Sequence, residues 1–205
     1  MIENENTDNS SLDSFYSSKN KINLQEKLYN NNYSNDKIES LGMLKIISDL
    51  LIDICEEGKS NSEEKLKLLK PFISKKIPSI TIINYIERLF KYSKVSENIM
   101  ILVLIYIDRI CANQKINLNY YNIHKIILAS FIVSIKFYED DYYSLSFYAK
   151  LGGVALKEIN NLEYEFLKLI DFKLFISQEL YDKYNNYLKN LEDDDIDDNF
   201  EIYDN

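Results

Sequence analysis

The sequence has 205 residues, a formal net charge of −9, 46% hydrophobic residues, four glycines and two prolines. That length suffices for one domain with a substantial core, and no run approaches the roughly 20 apolar residues a membrane-spanning helix needs. So few glycines and prolines exclude the many tight turns of an all-β fold, and the expectation is an all-α protein.

No charged, apolar, small-residue leader opens the chain, so an intracellular protein, cytoplasmic and/or nuclear, is expected. The acidity is local. Residues 192–205 hold eight of the 33 acids and no base, which leaves 25 acids against 24 bases in residues 1–191. A near-neutral body lacks the basic footprint of a nucleic-acid binder, and the acidic tail repels phosphates. Neither nucleic acid nor membrane is expected as a partner. Cys55 and Cys111 stand far apart, in no metal-ligand spacing, and read as small core residues. No metal and no cofactor is implied.

Residues 1–36, with runs such as NENTDNSSLDS and YNNNYSND, lack an apolar period and are expected to be disordered or loosely docked. Residues 37–77 form an N-terminal helix and a connector. In the helix Leu41, Leu44, Ile47, Leu51 and Ile54 recur at three- and four-residue steps. The connector carries Leu66, Leu68 and Leu69, and its two prolines, Pro71 and Pro78, mark it as such.

Five helices in close succession are expected from 78 to 176. Ser79 can cap the first, with Ile82, Ile86 and Leu89 on one face and an end near Ser93. The second starts at Ser96 and Glu97, runs through Ile99 to Ile107 and closes in Asp108 and Arg109. The third, capped by Asn119, is apolar on almost every side from Ile126 on, broken only by Ala129, Ser130 and Ser134. Such a helix is buried, and its small residues let neighbours approach. Its charged end, Lys136 with Glu139, Asp140 and Asp141 behind it, marks where it reaches the surface. Ser144 opens the fourth, which Gly152 and Gly153 terminate. The fifth shows Ile159, Leu162, Phe166, Leu169 and Ile170 on one face. A C-terminal helix spans 177–191, with Ser177 as cap, and the acidic tail 192–205 follows.

Five helices around a buried third, with YIDRI at Tyr106 to Ile110 and SIKFYED at Ser134 to Asp140, resemble a cyclin box. The strings IPSITIINYIERLFKYSKVS, NYYNIHKIILAS and YAKLGGVALKEINNLEYEFLKLIDFKL are similar to the P-type cyclins, the phosphate-system group of single-box cyclins that includes the plant U-type. Tyr148 to Gly153, with Glu158, Asn160, Leu162 and Glu163, is the most specific piece. The fold implied is a single five-helix cyclin box at 78–176 with flanking N- and C-terminal helices.

The resemblance implies a regulatory subunit, not an enzyme, that binds and activates a cyclin-dependent protein kinase as a heterodimer. In the family a lysine ending the third helix and a glutamate in the fifth contact the kinase's αC helix, and Lys136 and Glu163 stand at those positions. An ammonium offers three donors and a carboxylate accepts from free N–H groups. Asp140 and Glu139 are candidates to meet an arginine of the kinase's activation region. Arg88 is the candidate partner of Asp108, an ion pair of structural role. His124, with polar neighbours in a first helical turn, carries no expected function.

The chain departs from cell-cycle cyclins at Ser79 to Ile83, where Ser-Ile-Thr-Ile-Ile replaces their Met-Arg-Ala-Ile-Leu type docking patch. Two other readings stay open. One is a cyclin-fold adaptor or scaffold that binds a protein without activating a kinase. The other is a cyclin-fold transcription factor of the general factor IIB type, which wants two repeats and a basic face. An enzyme lacks support, since no nucleophile–base pair, metal cluster or phosphate loop is present.

Overall fold

The computed structural model describes residues 35–57 and 62–200, with the side chains of 42–57 and 62–191. The expected disordered segment lies almost wholly outside these residues, as do the end of the acidic tail and the side chains of Ile38 and Leu41. Eight α-helices and one 3₁₀ turn make up the described fold, with no strand among the described residues. They are α1 (Asn35–Glu56), α2 (Glu63–Leu69), the turn Lys70–Phe72, α3 (Ile82–Ser93), α4 (Asn98–Gln114), α5 (Ile123–Tyr138), α6 (Leu145–Gly152), α7 (Leu156–Leu169) and α8 (Gln178–Phe200).

The all-helical expectation holds, and α5 is the axle. Every residue from Ile126 to Ile135 is buried, and the helix packs against α3, α4, α6, α7 and the 3₁₀ turn. Its small residues do what their size allows: Ser130 Oγ donates to the Val103 carbonyl of α4 at 3.0 Å, a contact that brings side chain to neighbouring backbone. Burial is shared with α4, in which everything from Ile99 to Asp108 is buried. Outside this pair, α1 lies on α3, α4 and α8, adding Leu44, Ile47 and Leu51 to the same core.

Several helix starts differ from the sequence expectation. The first box helix begins at Ile82 with Thr81 as its cap, Oγ1 accepting from the Asn84 N–H at 3.3 Å, and not at Ser79. Residues 79 and 80 bend ahead of it, and the Ile80 carbonyl meets His124 Nε2 at 2.9 Å. The axle starts at Ile123. Asn119 instead forms a turn with Asn122, whose Oδ1 accepts from the Asn119 N–H at 2.9 Å.

Helix α4 does not close at Asp108 and Arg109 but runs on to Gln114, since Ile110 is fully buried and extends the apolar face by a turn. Helix α8 starts as expected, Ser177 Oγ accepting from the Leu180 N–H, but its backbone stays helical past 191 to Phe200. Ser144 caps α6 as expected, accepting from the Phe147 N–H. Gly153 ends α6 in the left-handed region at φ 71°. There the Val154 N–H reaches the Ala149 carbonyl at 2.9 Å and Gly153 N–H that of Lys150 at 3.2 Å, a Schellman closure.

Candidate functional site

At the C-terminal end of α5 the fold brings together two residues 27 apart in sequence. Lys136 Nζ lies 2.7 Å and 2.8 Å from the two carboxylate oxygens of Glu163 on α7. The lysine side chain is 35% exposed and that of the glutamate 16%. The pair is thus held at the surface, with one N–H of the lysine and further lone pairs of the glutamate open to another molecule. Packing of α5 on α7 sets it: Ile159, Leu162 and Phe166 are buried on one face of α7, which turns Glu163 toward the end of the axle.

The two acids behind Lys136 separate in role. Glu139 Oε1 accepts from the Ser96 N–H at 2.9 Å, just ahead of α4. It ties the end of the axle to the start of its neighbour. Asp140, one residue on, is exposed.

Beside this pair runs the link between α7 and α8, a feature the sequence reading passed over. Asp171 and Phe172 both adopt left-handed backbone, φ 54° and 55°. Three side chains then clamp the carbonyls that follow. Tyr106 donates to Leu174 O at 2.5 Å, Tyr138 to the same oxygen at 3.1 Å, and Arg109 to Lys173 O at 2.6 Å. Burial, with the nearby Tyr138 hydroxyl, pushes the Tyr106 phenol above its ordinary range, so it stays a donor. The link displays Phe172 and Phe175, 59% and 76% exposed, near the exposed Phe137 and Tyr138. The visible signal was the string DFKLF, two aromatics just past the last apolar turn of a helix.

Arg88 and Asp108 each meet another group. The Arg88 guanidinium lies 5.1 Å over the Tyr85 ring, while Asp108, 2% exposed, accepts from the Tyr184 hydroxyl of α8. His124 is buried. It is 5% exposed, with its ring edge-on to Tyr85 at 5.1 Å. The Ile80 carbonyl, in the stretch before α3, lies 2.9 Å from its Nε2. Burial first, and Arg88 besides, hold its pKa below the ordinary value against the Ile80 bond.

Both cysteines are free thiols, and burial pushes Cys55 up to about 12. Among the described residues no group of three His, Cys, Asp or Glu is placed to hold a metal, and no helix is long and apolar enough to cross a membrane.

A family model described as Cyclin matches residues 3–174. With its all-helical bundle around a buried helix, the chain belongs to the cyclin family. Within that family it stands with the P/U-type members, as the motifs suggested. It is 35% identical to PHO85 cyclin-7 of Saccharomyces cerevisiae over 69% of this chain and 54% of that protein. Cyclin-U2-1 of Arabidopsis thaliana is 30% identical over 81% and 76%. The PHO85 cyclin-like protein psl1 of Schizosaccharomyces pombe is 40% identical over 57% and 49%. The chain therefore spans about half the length of the two yeast relatives and three quarters of the plant one.

Proposed function

We propose that the chain is an intracellular regulatory subunit that binds a cyclin-dependent protein kinase as a heterodimer and activates it. On this reading Lys136 and Glu163 meet backbone groups at the kinase's mobile αC helix. Holding that helix inward places the Lys–Glu ion pair that phosphoryl transfer requires, and the subunit itself performs no chemistry. The observation that carries the reading is the surface-held Lys136–Glu163 pair at the exposed end of the axle of a cyclin box. Phe172 and Phe175, rigidly displayed alongside, supply apolar area. On the same reading the exposed Asp140 meets an arginine of the kinase's activation region, Glu139 being bonded to the Ser96 N–H.

The test is co-expression with each cyclin-dependent kinase of the source organism, affinity capture and a kinase assay on the eluate. Wild type is compared with Lys136→Ala/Glu163→Ala and with the swap Lys136→Glu/Glu163→Lys, which keeps an ion pair but inverts it. One kinase captured and activated by wild type, and lost with both variants, supports the reading. A kinase captured but not activated turns it to an adaptor. Full activity in both variants means that Lys136 and Glu163 do not contact the kinase.

A further inference from the structure

We propose that residues 63–77, wrapped round the N-terminal end of α5, form a docking surface for an acidic, aliphatic-bearing peptide segment of a partner protein. This stretch carries five lysines against two acids, a charge of +3, in a chain whose total is −9. The remainder of the chain is therefore at −12. Lys67, Lys70, Lys75 and Lys76 are exposed, while Lys65 turns inward and donates to the Lys115 carbonyl. Between them stand Leu66, Leu68, Ile73 and Ile77, from 38% to 50% exposed. Ammonium groups alternating with bare aliphatic side chains match a peptide in which carboxylates alternate with leucine or isoleucine.

The surface is anchored. Leu69 and Phe72 are fully buried, and the Phe72 ring lies edge-on to Phe166 at 6.5 Å. Lys125 Nζ, paired with Glu158 at 2.8 Å, also reaches the Ile73 carbonyl at 3.3 Å. The Ser74 N–H bonds the carbonyl of the exposed Tyr121 at 2.8 Å. These ties hold the backbone in place, so a ligand finds the aliphatic side chains already displayed and little ordering is needed on binding.

Charge and composition favour a protein partner. Single-stranded nucleic acid is held by arginine and stacked aromatics, and 63–77 contains no arginine. The exposed aliphatic side chains between the ammonium groups give a phosphate backbone nothing to bury, whereas leucine or isoleucine of a peptide can cover them. The surface also stands at the opposite end of α5 from Lys136. A helix of 16 residues is about 24 Å long, so the two ends can be occupied at once. The proposal does not rest on the kinase reading.

The experiment is fluorescence anisotropy with the full chain and a labelled peptide, DELDILDEIDEL. Its all-glutamine counterpart, a polyglutamate of equal length and phosphatidylserine vesicles serve as comparison probes. The expected result is salt-sensitive binding of the acidic–aliphatic peptide alone. Binding weakens about tenfold or more in the Lys67→Gln/Lys70→Gln/Lys75→Gln/Lys76→Gln variant and likewise in Leu66→Ser/Ile77→Ser. All six side chains are exposed, and unchanged circular dichroism and Tm separate lost binding from lost fold. No peptide binding, equal binding of polyglutamate, indifference to both variants, or binding to vesicles in place of the peptide overturns the proposal.

Discussion

Lys136 on α5 and Glu163 on α7 form a two-oxygen ion pair at the protein surface, 2.7 Å and 2.8 Å from nitrogen to oxygen. Its geometry is good, but solvent screens it, and pairs of this kind contribute about 0.2–1 kcal/mol to folding. A double-mutant cycle of Lys136→Ala and Glu163→Ala in urea is expected to give a coupling in that range. Each single variant stays folded. A large loss of kinase capture in either one then reports a contact with the kinase, because the loss of stability is too small to account for it.

Glu139 and Asp140 are expected to separate in experiment as they do in space. Glu139→Ala removes the acceptor of the Ser96 N–H and lowers stability by about 0.5–1.5 kcal/mol, as loss of one intramolecular hydrogen bond does. Glu139→Gln retains most of that. Asp140→Ala leaves the urea midpoint unchanged and, if the carboxylate meets the kinase, lowers activity at equal complex concentration. Equal urea midpoints for Glu139→Ala and wild type would sink the structural role.

His124 is the only histidine in the chain, so stability changes near pH 6.5 report on it. Its folded pKa lies below the ordinary value, through burial and the Arg88 charge. The sign follows: above about pH 6.5 the ring is neutral in both states, and as pH falls below that the unfolded chain takes up a proton the folded chain refuses. Stability is therefore lost on acidification through this window. Thermal melts from pH 8 to 5.5 are expected to show a falling Tm in wild type and a flatter profile in His124→Gln. Parallel profiles would mean that His124 titrates freely.

The two adjacent glycines are required for different reasons. A Cβ at Gly152 would lie 2.4 Å and 2.8 Å from the methyl carbons of Leu128, which is fully buried. Alanine at a helical glycine ordinarily gains up to about 1 kcal/mol, but overpacking costs about 1–3. Gly152→Ala is expected to lose roughly 1 kcal/mol net, or 2–4 °C in Tm for a chain of this size. At Gly153 nothing lies within 4 Å, and the penalty comes from φ 71°, about 1–2 kcal/mol for alanine. A Gly152→Ala variant more stable than wild type would show that Leu128 yields without cost.

What could be read from residue order was whatever depends on neighbours along the chain. The uninterrupted apolar run in α5 implied burial on every side. The Gly152–Gly153 pair implied a helix stop, Ser144 and Ser177 acted as caps, and SIKFYED and LEYEF carried the resemblance that brought Lys136 and Glu163 forward. Asn119 and Ser79 failed as caps because capping preference is weaker than tertiary demand. The Ile80 carbonyl is held by His124, and Asn119 and Asn122 bond each other.

By itself the sequence determined an all-helical bundle with one buried axle and an acidic tail, because burial of a helix follows from the periodicity of its own side chains. Only the tertiary structure decided partners across the bundle. It placed Lys136 on Glu163, Glu139 on Ser96 and Asp108 on Tyr184. It also aimed Phe172 and Phe175 outward by clamping the link between α7 and α8. The reason is physical: a side chain's period is a local property, but which charged or aromatic group it meets depends on how helices distant in the chain cross and rotate about one core.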